Sequence, residues 1–137
     1  WTKKIHISEV MSIFINLYTN ACKAIERAGS INRKLLISIS KGTSYMTIRF
    51  EDTGDGIPKD KWAEVFAPLY TTSIPAKAFS TENDYKRGMG LGLSITEEII
   101  TELKGEIAVT EPSEGYNTCL KILLPLADKS ELPEDAY

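Results

Sequence analysis

Three short polar and glycine-rich segments occur in a fixed order along this chain and restrict how it can fold. Asn16 and Asn20 lie one turn apart in a helical pattern. Gly54 and Gly56 follow an apolar strand pattern, and glycines at alternate positions of residues 88–92 open a second helical pattern. Glycine allows a backbone to bend sharply or to approach another group closely. We therefore expect the chain to fold back on itself at these points.

The first helical pattern is long and has one apolar face. Ser8 is a suitable N-cap for it, and Gly29 is a natural stop. Residues 5–7, which precede it, are compatible with a short edge strand. The apolar residues recur at helical spacing: Val10, Ile13, Phe14, Leu17, Ala21, Ala24, Ile25 and Ala28.

Alternating apolar and polar residues predict four strands in two hairpins. The first hairpin pairs residues 35–41 with 45–50, and the second pairs 106–110 with 117–124. A short helix is expected at residues 58–66. A second amphipathic helix is expected from Leu91 through Ile95, Ile99 and Leu103, ending at Gly105. This order predicts an α+β fold, a two-layer α/β sandwich with a mixed sheet and helices on one face.

A chain of 137 residues is long enough for one domain with a single core. We expect that domain at residues 1–126, with a frayed acidic tail at 127–137. Residues 67–87 have little periodicity, and so long a loop in a compact domain is usually functional. It predicts a lid that extends to about residue 92.

Composition excludes several classes of function. A net charge of −3 gives no basic surface for nucleic acid. No apolar run approaches the roughly 20 residues of a membrane-spanning helix. Cys22 and Cys119 do not have metal-binding spacing, and we expect plain thiols in a reducing cytoplasm.

The first helix carries a polar stripe next to its apolar face. Asn16, Asn20, Lys23 and Arg27 fall within about 60° of each other around the helix axis. A solvated helix edge would account for the two cations alone. Asparagine is unfavourable inside helices, however, so a pair of them one turn apart needs a reason. Their amide oxygens could hold Mg²⁺ together with nucleotide phosphates.

The glycine segments suit a nucleotide. The carboxylate of Asp52 can accept a hydrogen bond from the adenine amine, although a tight turn between strands also explains Gly54 and Gly56. N–H groups of residues 88–92 and the helix N-terminus could surround phosphates. No Lys-Ser/Thr pair follows, as a Walker motif would require. Arg87 is equally compatible with phosphate contact and with solvent.

Together these segments resemble the ATP-binding catalytic domain of sensor histidine kinases, in the superfamily with type II topoisomerase and Hsp90 ATPase domains. The resemblance runs over residues 5–125 and implies the Bergerat fold, with ATP and Mg²⁺ as cofactors. It covers the N box at 16–21, the G1 box at 52–57, the F box at 66–72, the G2 box at 87–93 and a last motif at 115–118.

The resemblance implies roles for individual residues. Asn20 and Asn16 match the metal ligands, Lys23 a phosphate contact, and Asp52 the adenine-binding carboxylate that Thr118 supports. Asn16 and Lys23 are the candidates for a catalytic role. Asn16 replaces the glutamate base of hydrolysing members, which favours phosphate transfer over hydrolysis. The other nucleotide-binding candidates are Gly54, Gly56, Ile57, Tyr70, Arg87, Gly88, Met89, Gly90, Leu91, Gly92 and Leu93.

The resemblance also implies a function and its partners. The domain would transfer the γ-phosphate of ATP to a histidine in a separate upstream dimerisation domain, and a response regulator would then receive it. The isolated chain would be monomeric and the full-length kinase a cytoplasmic homodimer. His6 lies in a strand-like context and is not the expected acceptor. Three alternatives stay open: an anti-sigma type serine kinase, a dehydrogenase kinase, and a nucleotide-sensing module without transfer.

Overall fold

The computed structural model describes residues 5–67 and 92–127 of this chain. The predicted lid from residue 68 to 91 and the predicted tail from residue 128 lie outside the described residues. The described elements are α1 (Ile7–Ala28), β1 (Leu35–Lys41), β2 (Tyr45–Asp52), α2 (Gly92–Glu102), β3 (Glu106–Thr110) and β4 (Thr118–Pro125). Two 3₁₀ turns, Lys59–Lys61 and Glu64–Phe66, occupy the place of the predicted short helix.

The four strands form one sheet in the order β1-β2-β4-β3, with every described pairing antiparallel. Helices α1 and α2 contact each other and pack against the sheet, α1 on β2 and α2 on β3. The predicted α+β sandwich is therefore confirmed. Its described sheet is antiparallel rather than mixed, because residues 5–7 do not supply a further strand: Ile7 is the first residue of α1.

Helix α1 begins two residues earlier than the sequence predicts. His6 is its N-cap rather than Ser8, and the Glu9 carboxylate accepts a hydrogen bond from the His6 backbone N–H at 2.9 Å. This contact satisfies a group that would otherwise lack a partner at the helix start. Gly29 ends the helix in the left-handed conformation, with φ 62°, as expected for a glycine stop.

A single apolar core lies between the helices and the sheet. Ile13 and Leu17 of α1 pack over Ile48 and Phe50 of β2, and the ring of Phe14 meets that of Phe50 edge-to-face at 5.2 Å between centroids. Along β2, burial follows the predicted alternation. Among the described residues, no helix is long and apolar enough to cross a membrane.

The buried face of α2 differs from the predicted one. Ile95 is 43% exposed, whereas Thr96 and Ile100 are fully buried. The predicted Leu103 is buried and the predicted Ile99 packs partly buried against the core, so the prediction is wrong at residue 95 and omits residues 96 and 100. The difference arises because a threonine on the buried face interrupts the apolar pattern.

Candidate functional site

The polar stripe of α1 meets the first turn of α2. The side-chain amide nitrogen of Asn16 donates to the Thr96 hydroxyl oxygen at 3.4 Å and to the Gly92 carbonyl at 3.5 Å. A Cβ at Gly92 would lie 3.8 Å from Asn16 Cγ and 3.9 Å from Asn20 Nδ2. The fold therefore brings the two asparagines against the last glycine of the glycine-rich segment.

The loop after β2 packs directly on α1. A Cβ on Gly54 would lie 2.5 Å from the Cβ of Ala24 and 2.7 Å from its backbone carbonyl carbon. Both distances are far below a normal contact, so a side chain at position 54 would force the loop away from the helix. Glycine here allows a close approach that joins the loop to the helix of Asn16 and Asn20.

The Asp52 carboxylate at the start of this loop is only 5% exposed. Its Oδ1 accepts a hydrogen bond from the Gly54 N–H at 2.8 Å. Burial raises the pKa of Asp52, while hydrogen bonds from the Gly54 N–H and the Thr118 hydroxyl oppose that rise. Thr118 lies directly opposite Asp52 in the β2–β4 register. The result is a rigid acceptor, shielded from water, of the kind that can select a ligand N–H.

Two further contacts hold the same loop from opposite sides. From the residue just before β4, the Asn117 side chain donates to the Gly54 carbonyl at 2.8 Å, and the Asn117 backbone N–H donates to the Asp52 carbonyl at 2.8 Å. From α1, Arg27 forms a two-pronged ion pair with Asp55, at 2.8 and 3.2 Å. The loop is thus fixed relative to both the sheet and the asparagine helix.

The predicted site residues lie mainly in two places, and some lie outside the described residues. The contact of α1 with α2 brings together Asn16, Asn20 and Gly92. The end of β2 brings together Asp52, Gly54 and Thr118. Lys23 is half-buried on the polar stripe of α1. Ile57 and Leu93 are partly buried against the core. Gly56 and Ile57 also line a groove of about 500 Å³ with Trp62 and Tyr116. Outside the described residues lie Tyr70, Arg87, Gly88, Met89, Gly90 and Leu91.

Sequence reasoning missed Thr96, gave Asn117 no role of its own within the last motif, and gave Arg27 no role beyond the polar stripe. Thr96 could have been noticed as a hydroxyl one turn after Gly92, but its partner is 80 positions away. The contact of Asn117 with Gly54 spans 63 positions. No local pattern encodes such pairings.

The donor chemistry at α1 suits Mg²⁺. Two neutral amide oxygens one turn apart resemble the few protein ligands that Mg²⁺ takes when it keeps waters and phosphate oxygens. In residues 5–67 and 92–127 there is no group of three or more His, Cys, Asp or Glu side chains that could hold a metal. Among the described residues, Asn16 and Asn20 are therefore the candidate protein ligands for such an ion.

A family model described as histidine kinase-, DNA gyrase B- and HSP90-like ATPase matches residues 6–128. The chain belongs to this ATPase family. Sporulation kinase C of Bacillus subtilis (strain 168) is 28% identical over 123 residues, which is 90% of this chain and 25% of that protein. The sensor histidine kinase ZraS of Salmonella typhimurium is 32% identical over 119 residues, 87% of this chain and 22% of ZraS. The chain thus spans about a quarter of these relatives.

Solved structures agree with this assignment. The nucleotide-free catalytic domain of the histidine kinase ThkA superposes with a TM-score of 0.65 at 26% identity, covering 86% of this chain and 67% of that one. The mycobacterial sensor histidine kinase MprB superposes with a TM-score of 0.66 over 86% of this chain and 70% of that one. It is 22% identical and supports the fold alone. This is an ATPase domain of the histidine-kinase type.

Proposed function

We propose that this domain binds Mg²⁺·ATP and transfers the γ-phosphate to a histidine in a separate dimerisation domain. The observation that carries the proposal is the close contact of Gly54 with Ala24. It joins the loop of buried Asp52 to the helix of Asn16 and Asn20. One rigid unit therefore offers an adenine acceptor at one end and amide oxygens for a metal at the other.

Each group has a distinct task in the proposed complex. Asp52 accepts a hydrogen bond from the adenine amine, and Thr118 keeps that carboxylate in place. Asn16 and Asn20 hold Mg²⁺, and Lys23 contacts phosphate. Bound Mg²⁺ would neutralise phosphate charge. The glycine-rich segment, of which only Gly92 is described, would surround the phosphates with N–H groups.

Transfer is favoured over hydrolysis because position 16 carries an amide. An amide does not accept a proton at neutral pH, so Asn16 cannot activate water as a general base. Glu9 is the carboxylate on the same stripe, but it lies about 10 Å along the helix. It is also engaged with the His6 N–H at 2.9 Å. Phosphoryl transfer to a protein needs positioning and charge neutralisation more than such a base.

The proposed partners are domains that lie outside this sequence. They are the phosphoacceptor and dimerisation domain of the same kinase and, downstream, a response regulator. The full-length protein would act as a homodimer with this domain in the cytoplasm, where ATP is available. The small share of the relatives' length that the chain spans supports the existence of such further domains.

The direct test is to incubate the purified chain with γ-labelled ATP, alone and with the dimerisation domain of its parent protein. We expect label only on the added domain, in an acid-labile and alkali-stable bond typical of phosphohistidine. Asn20→Ala should abolish that transfer in folded protein.

Four outcomes would contradict the proposal, each in a different way. Label on the chain itself, at His6, would make it its own acceptor. Rapid release of free phosphate without an acceptor would indicate a hydrolase. Alkali-labile label on the added domain would indicate a serine kinase. Tight ATP binding with no transfer to any supplied domain would indicate a nucleotide sensor.

A further inference from the structure

We infer that Thr96 is a positioning residue for Asn16: its hydroxyl orients the Asn16 side chain so that the amide oxygen faces the metal and phosphates. The inference rests on the proposed function, in which that oxygen is a Mg²⁺ ligand. Thr96 is fully buried on α2. It lies outside all of the predicted nucleotide segments, three residues beyond the G2 box at 87–93.

The hydrogen-bond chemistry around Thr96 is one-directional. Its hydroxyl donates its only hydrogen to the Gly92 carbonyl at 2.8 Å. Towards Asn16, the Thr96 oxygen can therefore act only as an acceptor. The Gly92 carbonyl is also an acceptor only. The two atoms of α2 that Asn16 contacts are thus both acceptors.

This arrangement selects one of the two possible orientations of the amide. The Asn16 nitrogen lies 3.4 Å from Thr96 Oγ1 and 3.5 Å from the Gly92 carbonyl oxygen, and it donates to both. The flipped amide would place its oxygen against two other acceptors, which is repulsive. Because nitrogen and oxygen diverge from a planar carbon, a nitrogen turned towards α2 leaves the oxygen free for a cation.

Packing alone does not require the hydroxyl of Thr96, whereas orienting the Asn16 amide does. Valine has nearly the same shape, fills the same space and avoids burying a polar atom. The hydrogen bonds to Asn16 are long, so we expect a bias in orientation rather than a strong restraint. The consequence should appear in metal-dependent affinity and not in the fold.

The test compares Thr96→Val, Thr96→Ser and the unmutated chain by calorimetry of ATP binding, with Mg²⁺ and with EDTA. We expect Thr96→Val to reduce the gain in affinity due to Mg²⁺ roughly 3- to 10-fold, the effect of one neutral hydrogen bond. Affinity in EDTA should be unchanged, and Thr96→Ser should retain the gain. Thr101→Val, the same substitution at an exposed site on α2, is the matched control.

A double-mutant cycle separates orientation from packing. In an Asn16→Ala background, Thr96→Val should have no further effect on the gain due to Mg²⁺, because its only route of action is gone. Equal losses of affinity with and without Mg²⁺, no loss at all, or additive effects in the cycle would overturn the inference.

A measurement on the unmutated protein covers the case in which Thr96→Val does not fold. In nucleotide-free protein, nuclear Overhauser contacts should join the Asn16 side-chain amide protons to Thr96, and their absence would overturn the inference. If unmutated protein gains no ATP affinity from Mg²⁺, the proposed metal site itself fails. If the gain is present and Asn16→Ala removes it while Thr96→Val does not, only the role of Thr96 fails.

Discussion

Glu51 and Asp52 are adjacent on β2, yet their side chains lie on opposite faces of the sheet and their pKa values shift in opposite directions. Burial raises the pKa of Asp52 more than its hydrogen bonds lower it. Burial also acts to raise the pKa of Glu51, but hydrogen bonds from Arg49 and Ser113 outweigh it and the pKa falls. The shortest of these joins the Ser113 N–H to Glu51 Oε1 at 2.6 Å. The ionised Asp52 carboxylate therefore lowers the stability of the fold near neutral pH, and the ionised Glu51 carboxylate raises it.

Replacing Asp52 with asparagine should stabilise the protein near neutral pH while weakening adenine selection. Because the pKa of Asp52 is raised by folding, the protonated carboxyl group favours the folded state. That contribution to stability is complete below the ordinary aspartate pKa of about 3.9 and is lost as pH rises through the pKa of the folded protein. Thermal unfolding should therefore show a higher Tm for Asp52→Asn at pH 7, with a smaller difference near pH 4.

The same variant should lose preference for ATP over GTP, roughly 5- to 150-fold for one buried hydrogen bond. Titration of both nucleotides into the two proteins measures this ratio. Equal binding of ATP and GTP by the unmutated protein would remove Asp52 from its proposed role.

Replacing Glu51 with glutamine should have the opposite effect on stability and none on selection. Its lowered pKa gives a contribution that is present above the ordinary glutamate value and lost as pH falls through the folded value. We expect Glu51→Gln to lose about 1–3 kcal/mol at pH 7 because a buried charge-assisted contact is weakened. Denaturant unfolding at pH 7 and near pH 4 should show the loss shrinking in acid, with the ATP to GTP ratio unchanged.

At the scale of elements, two glycines serve different neighbours. Gly54 allows the loop after β2 to contact α1, since a Cβ there would lie 2.5 Å from Ala24 Cβ. A Cβ at Gly92 meets nothing in the described protein closer than 3.8 Å, an ordinary contact distance. The first glycine is required by the fold, and the second is required only if a ligand approaches it.

We therefore expect Gly54→Ala to destabilise the protein by about 1–3 kcal/mol through overpacking. Gly92→Ala should leave stability nearly unchanged, because a Cβ on this first residue of α2 meets its nearest atoms at ordinary contact distances, but it should weaken Mg²⁺·ATP binding. Denaturant unfolding and calorimetry on both variants test the contrast. A stable Gly54→Ala protein, or a Gly92→Ala protein with full affinity, would contradict it.

The element contacts also explain why sequence patterns predicted some boundaries better than others. β1 occupies the predicted residues because alternation and a short hairpin are local properties. The predicted start of α1 was wrong because the side chain of Glu9 accepts a hydrogen bond from the backbone N–H of His6, three residues earlier, and so caps the helix there. On α2, Ile95 was wrongly placed on the inward face and Thr96 was left out of it, because Thr96 is buried where it contacts α1. No pattern within α2 expresses that contact.

At the scale of the whole molecule, the proposed nucleotide site draws residues from helix α1, the loop after β2 and the start of α2, so a nucleotide should stabilise the entire domain. A ligand that binds only the folded state raises its stability by about 2.7 kcal/mol at 100 times its dissociation constant. We expect Mg²⁺·ADP to raise Tm clearly, ADP in EDTA to raise it less, and Mg²⁺·GDP to leave it nearly unchanged. Asn20→Ala should abolish the difference between Mg²⁺ and EDTA. An equal shift with GDP would exclude adenine selection.

The sequence by itself determined the chemistry of the candidate site and the order of the elements that carry it. Each pattern lies within a short stretch of sequence and could be interpreted before any contact was known. These patterns are the paired amides on a helix, the carboxylate before two glycines and the apolar alternation of the strands. The family and the α+β class follow from that order, and both are confirmed.

Tertiary structure alone decided how these pieces are held against each other. Asn16 meets Thr96 across 80 positions, Asn117 meets Gly54 across 63, and Arg27 meets Asp55 across 28. Such pairings depend on how the helices lie on the sheet, which the whole core sets at once. Orientation of an amide and burial of a carboxylate are therefore products of packing, whereas the identity of the candidate binding groups is a property of the sequence.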